Sequence, residues 1–184
     1  MTHSEELRYW FDFIDGDTNA LSHLFEHYVD GLVAYGFKIY PDEELVNDAI
    51  QEVFIQLILQ RQKLKRRDEI SGLVFRMLRN KIIDEIKLIN RTKKINNLIG
   101  NTTTNFVNDA EYQYINAEEN LKRNTNLSIA LDQLSPHQRE SMFLKYAQCH
   151  SYDQISETMG ISVASARTLI YRSLKQLRVL VPKI

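Results

Sequence analysis

The chain has 184 residues, 43% of them hydrophobic and 26% charged, which excludes a disordered chain, and no run of apolar residues is long enough to span a membrane. A single cysteine, Cys149, excludes an internal disulfide and a multi-cysteine metal site, while six glycines and three prolines leave too little turn material for many short strands. The net charge of -1 conceals a polarised distribution: residues 1–60 carry 12 acidic against 2 basic side chains, and residues 61–100 carry 12 basic against 4 acidic. An all-α protein working in the cytoplasm is expected, because the first residues, Met1 to Glu6, do not read as a signal peptide. A cationic block of this density suits a polyanion-binding surface, although a solvated helix face carries charge in the same way.

In chain order, Trp10, Phe11 and Phe13 belong to a short leading helix. Leu21, Leu24, Phe25, Tyr28 and Leu32 then recur at helical spacing and form one apolar stripe. Inside that stretch, His23, Glu26 and His27 match the His-x-x-Glu-His pattern of zinc peptidases. The apolar stripe leaves these three side chains on the polar face, and no third ligand or second motif supports a zinc site, so an exposed helix is expected and no metal or cofactor. A third helix opens after Pro41-Asp42-Glu43 and buries Val46, Ala49, Ile50, Val53 and Leu57. The basic run Lys63-Leu64-Lys65-Arg66-Arg67 reads as a loop, and Val74, Leu78, Ile82, Ile86 and Ile89 form the next stripe. On that helix Arg76, Asn80, Asp84 and Lys87 share a second face, with Arg79 alongside.

From Asn96 to Asn108, eight of thirteen residues are Asn or Thr, which compete for backbone hydrogen bonds and end the periodicity. The chain therefore divides into a helical domain over 1–95, a flexible linker over 96–123, with a weak helical pattern at Glu111–Arg123, and a second helical domain over 124–184. In the second domain Ser135 and Pro136 are the cap and first residue of a helix. A short helix Tyr152–Met159, the turn Gly160-Ile161-Ser162 and a longer helix Val163–Val181 follow, the order of a helix-turn-helix. The last helix places Ala166, Leu169, Ile170, Leu174 and Leu177 on one face. Arg167, Thr168, Tyr171, Arg172 and Lys175 fall on the other, where they can reach phosphates and base edges. Cys149-His150 reads as a loop pair, because no third group organises it for catalysis.

Four motifs in order resemble the extracytoplasmic-function group of bacterial RNA polymerase sigma factors, within the sigma-70 family. They are Asp48-Ala49-Ile50-Gln51-Glu52-Val53-Phe54, the helix Val74 to Asp84, the opening Ala130 to Arg139, and Gly160-Ile161-Ser162 through Arg172-Ser173-Leu174. Leu73 stands where the family often has Trp, and Lys87 where it usually has Arg, which forfeits a bidentate contact. The resemblance implies a transcription initiation factor, not an enzyme. It implies docking on the polymerase β′ clamp helices through Asp48, Gln51, Glu52 and Phe54, with the β flap as a further contact. It implies that Lys63, Lys65, Arg66 and Arg67, with Glu69 closing the loop, and Arg76, Arg79, Asn80, Asp84 and Lys87 read and open the -10 promoter element. The -35 element would be read by Ser165, Arg167, Thr168, Tyr171, Arg172 and Lys175. A membrane-anchored anti-sigma partner is also implied. The alternative is a stand-alone helix-turn-helix regulator whose first domain senses a signal or dimerises.

Overall fold

The computed structural model describes residues 1–68, 70–99 and 125–180, with side chains described over 1–68, 70–92 and 129–180. Glu69, the expected linker from residue 100 onward, the helical pattern at Glu111–Arg123 and the expected helix end at Val181 lie outside the described residues. Eight α-helices and a 3₁₀ turn account for the described elements, and no strand occurs among them.

The first four helices are α1 (His3–Asp15), α2 (Asn19–Ile39), α3 (Glu43–Leu59) and α4 (Ser71–Ile99), with the 3₁₀ turn at Arg61–Lys63 between α3 and α4. Thr2 caps α1 by accepting from the Glu5 amide, while the Glu5 carboxylate accepts from the Thr2 amide at 2.7 Å. Asp42 caps α3 in the same manner, accepting from the Leu45 amide at 3.0 Å, so Pro41 lies just outside the helix. The expected stripes converge: Trp10, Phe13, Leu24, Leu32, Tyr35, Leu57, Leu78 and Ile82 are all within 2% of full burial. Phe25 is the exception in the α2 stripe; it is 37% exposed and packs edge-on against Phe54. Helices α2 and α3 cross at Gly36, where any Cβ would lie 2.5 Å from a Val46 methyl.

The second half holds α5 (Thr125–Asp132), α6 (Pro136–Tyr146), α7 (Tyr152–Met159) and α8 (Val163–Leu180). Ser135 and Ser151 each form a capping box, with Gln138 and Gln154 returning the hydrogen bond. Gly160 ends α7 at φ 66°, the left-handed conformation that glycine adopts without steric cost, and Ser162 then caps α8. Ser156 donates to the Ile161 carbonyl at 2.7 Å and fixes the turn between them.

The two halves do not stand apart as independent bodies. Leu144, Ile155, Met159, Ala166 and Ile170 belong to the same contiguous core as Trp10, Tyr35 and Phe75, and α7 lies along α4. A smaller cluster of Ala130, Leu134 and Leu177 closes the far side of the second half. Fully burying a side chain such as Leu144 or Ile155 contributes about 1.5–3 kcal/mol, so this shared core holds the halves together.

Candidate nucleic-acid and partner interfaces

Three exposed surfaces follow from this arrangement. The first is the outer side of α3. Its inner stripe is consumed by the core, leaving Asp48, Gln51 and Glu52 exposed. Glu52 is paired with Lys81 of α4 at 2.5 Å, and Lys81 also meets Glu85 at 2.7 Å. The hydrogen bonds that the Lys81 ammonium donates to these two carboxylates raise its pKa above the ordinary range, so it stays charged. Phe54, expected on this face, is corrected to the core: it is 7% exposed and points inward against Phe25. Sequence reasoning missed the apolar part of the same surface, Ile55, Ile58 and Leu59, which are 52%, 48% and 77% exposed. Their signal was present, since they fall outside the buried spacing Val46, Ala49, Ile50, Val53 and Leu57.

The second surface is the basic loop and the outer face of α4. Lys63, Lys65 and Arg66 are exposed on the loop. The loop's course is set by α1. Trp10 donates its indole N–H to the Lys65 carbonyl at 3.4 Å, and Arg61 donates to the Gly16 carbonyl at 3.1 Å. Arg66 pairs with Asp15 at 2.6 Å and lies over the Phe11 ring. On α4, Asn80, Asp84 and Lys87 are exposed, with Lys87 bonded to Asp84 at 2.9 Å. The arginines are placed differently from expectation. Arg67 meets Glu157 of α7 at 2.5 Å, Arg76 lies 3.9 Å from the same carboxylate, and Arg79 donates its Nε–H to Glu140 of α6 at 2.7 Å.

Glu140 is buried, and the Tyr35 hydroxyl also donates to it at 2.6 Å. Burial pushes its carboxyl pKa up, but hydrogen bonds from His137, Arg79 and Tyr35 and the Arg79 charge outweigh that, holding it below the usual carboxylate range. In the same half, His150 is 3% exposed, its Nε2 is 2.7 Å from the Ser71 hydroxyl and its ring stands edge-on to Phe75. Burial, with the nearby Lys145 charge, pushes the His150 imidazole down to about 4. Cys149 is exposed, at φ 55°, and its neighbour's ring is committed to Ser71 and Phe75.

The third surface is the outer face of α8. Ser165, Arg167, Thr168, Tyr171, Arg172 and Lys175 are all exposed, while Ala166, Ile170 and Leu177 are buried behind them. The Ser165 amide donates to the capping Ser162 hydroxyl at 3.1 Å, and Thr168 donates to the Ala164 carbonyl at 2.9 Å. The Arg167 guanidinium sits 5.3 Å from the centre of the Tyr152 ring, which orders its stem while leaving its N–H groups outward. Guanidinium, hydroxyl and phenol groups on the outward face of a helix after a helix-turn-helix turn are the equipment for the major groove. His23 and His27 are exposed on α2, with His23 stacked on Tyr9 at 4.4 Å. Among the described residues no three His, Cys, Asp or Glu side chains gather to hold a metal. No helix among the described residues is long and apolar enough to cross a membrane.

Comparison with known proteins agrees with this geometry. Family models for sigma-70 region 2 and sigma-70 region 4 match residues 24–92 and 126–177. The chain is 28% identical over 159 residues to RNA polymerase sigma factor SigZ of Bacillus subtilis, covering 84% of each chain. It is 22% identical over 162 residues to the extracytoplasmic-function sigma factor SigM of the same organism, covering 88% of this chain and 94% of the relative. Its fold is similar to CnrH solved with the cytosolic domain of CnrY, with TM-score 0.64, 16% identity and 96% of each chain covered. It is also similar to the sigma factor RpoE solved with the anti-sigma factor NepR from Bartonella quintana, with TM-score 0.59, 18% identity, and 87% and 95% covered. Two all-helical units, the second a helix-turn-helix, carry the matches to sigma-70 regions 2 and 4. The chain belongs to the sigma-70 family of RNA polymerase sigma factors, in its extracytoplasmic-function group.

Proposed function

We propose that this chain is a cytoplasmic initiation factor that binds core RNA polymerase and directs it to promoters, acting by binding rather than catalysis. The observation that supports it best is the presence on one chain of three separate exposed surfaces in the family's order. The acidic and apolar face of α3, with Asp48, Gln51, Glu52, Ile55 and Leu59, docks on the β′ clamp helices. The loop Lys63–Arg67 with Arg76, Arg79, Asn80, Asp84 and Lys87 grips the -10 element and offsets the unstacking cost of opening it. The α8 face reads the -35 element in the major groove, with the second unit seated near the β flap. The functional units correspond to residues 1–95 and 124–184, although α4 runs on to Ile99. One solved neighbour, RpoE, is in complex with the anti-sigma factor NepR, and a membrane-anchored anti-sigma factor is the regulator we assign to this chain. Matches to both sigma-70 regions leave a stand-alone regulator without support of its own.

The docking assignment is tested by Glu52→Lys, which reverses charge at an exposed position without touching the core. Capture of the variant by immobilised core polymerase is expected to fall about tenfold, with far-UV circular dichroism unchanged. Undiminished capture would remove α3 from the docking surface.

A further inference from the structure

Helix α1 precedes the segment that matches sigma-70 region 2, which begins at residue 24, yet it ties down the basic loop and the turn before it at three points. The loop Lys63-Leu64-Lys65-Arg66-Arg67 has four cations in five residues, and a run of that kind repels itself and settles in no single conformation of its own. Trp10 is fully buried, so its indole N–H needs an acceptor, and the Lys65 carbonyl supplies one at 3.4 Å. Asp15, at the end of α1, accepts from Arg66 Nη2 at 2.6 Å, and the same guanidinium lies 5.0 Å from the centre of the Phe11 ring. Gly16 ends α1 at φ 126°, a conformation that suits glycine, and its carbonyl accepts from Arg61 at 3.1 Å. The ties at Lys65 and Arg66 fall on consecutive residues, one through the backbone and one through the side chain, so together they fix both the path and the rotation of the loop. Leu64, just before them, packs on the core. Lys63 and Lys65 keep their side chains exposed.

We propose that α1 is a working part of the promoter-opening site: a clamp that presets the basic loop, with Trp10 and Asp15 as positioning residues and Arg66 as the tether rather than a DNA contact. The proposal rests on the -10 assignment of the loop and deepens it. Charge alone brings the loop to any phosphate backbone, whether the loop is fixed or loose. Discrimination between bases needs donors and acceptors held in one arrangement, and a loop that must be ordered on contact loses part of its binding free energy to that ordering. The clamp therefore raises the preference for the -10 sequence while leaving total affinity for single-stranded DNA nearly unchanged. Lys63 and Lys65 meet the strand. Arg66, engaged by a carboxylate and a ring, serves the grip through the position it gives the loop.

The test uses the full chain bound to sigma-free core polymerase, and the probe is a pool of short single-stranded DNA of randomised sequence. Sequencing the retained strands gives the enrichment of the preferred sequence, and the amount retained gives total binding. Trp10→Phe keeps the buried ring and removes the indole N–H. Asp15→Asn, at an exposed position, leaves the core untouched and removes the charge facing Arg66. Enrichment is expected to fall about fivefold for Trp10→Phe and about threefold for Asp15→Asn, with total binding and polymerase capture within about twofold of the starting chain. A nitroxide at Asp68→Cys, in a Cys149→Ser background, is expected to give a narrower resonance line in both variants as the loop is released. The charge-reversed pair, Asp15→Arg with Arg66→Asp, is expected to recover the enrichment that Arg66→Asp alone loses; no recovery makes Arg66 a DNA contact and overturns its role as tether. Enrichment unchanged by both Trp10→Phe and Asp15→Asn overturns the clamp, and if Lys63→Ala with Lys65→Ala abolishes enrichment in the same assay, the -10 assignment stands without it. If the double lysine variant also leaves enrichment unaltered, the -10 assignment of the loop has failed, and the proposal falls with it.

Discussion

His150 packs its ring against Ser71 and Phe75, 79 and 75 positions earlier in the chain, and burial leaves it neutral down to about pH 4. Its folded pKa lies below the ordinary 6.5, so its contribution to stability is fully present above about pH 6.5 and is lost as the pH falls toward 4. The Glu140 carboxyl is held below its ordinary 4.5, so its contribution is present above about pH 4.5 and is lost only at the acid end of that window and below it. His137 is raised above its usual value by the hydrogen bond to Glu140, so its contribution is lost as the pH rises past about 6.5. That side chain is mostly exposed, and the offset is correspondingly small. Urea unfolding is expected to give a stability about 2 kcal/mol lower at pH 5 than at pH 7, and His150→Phe should abolish most of that difference. An imidazole titration midpoint near 6.5 for His150 by NMR would contradict its burial. None of this was legible in the sequence. A histidine after a cysteine in a loop carries no periodicity, and its partners are fixed only by tertiary packing.

At the scale of elements, the sequence was most informative where side chains act within a turn or two of helix. Ser135, Pro136, Gly160 and Ser162 perform local jobs at helix ends, so their roles could be read directly. The outward face of α8 was legible for the same reason: its period separates Arg167, Thr168, Tyr171, Arg172 and Lys175 from Ala166, Ile170 and Leu177. Helix α3 was read less completely. Its apolar residues outnumber the positions of one buried stripe, and the motif drew Phe54 onto the docking face although that ring belongs to the core. Ile55, Ile58 and Leu59 stood outside the stripe and went unassigned. The α8 assignment predicts that Arg172→Ala weakens binding to duplex DNA containing the -35 element by about 1–3 kcal/mol while leaving polymerase capture intact. Equal loss of both in paired anisotropy and capture assays would show instead that the second half had been damaged as a whole.

At the scale of the molecule, the expected picture of two domains on a linker did not foresee how the two halves pack. The Asn- and Thr-rich stretch was read as a break from Asn96, whereas α4 continues through Asn96 and Asn97 to Ile99. The shared core joining Phe75, Leu144 and Ile155 had no local signature, since hydrophobic periodicity says which face is buried and not which helix buries it. The pairing of acidic Glu140 and Glu157 with Arg79 and Arg67 likewise links residues 61 and 90 positions apart. The shared core, with these long-range ion pairs at its edge, gives the molecule its packed form, and the local patterns give each surface its chemistry. The central claim is that one chain supplies polymerase docking and both promoter contacts. It is tested most directly by adding the purified chain to sigma-free core RNA polymerase on a library of promoter fragments and sequencing the 5′ ends of the transcripts. Discrete starts that depend on the chain, preceded by a common pair of spaced elements, are the predicted result. A chain that neither yields such starts nor co-elutes with core polymerase would contradict it.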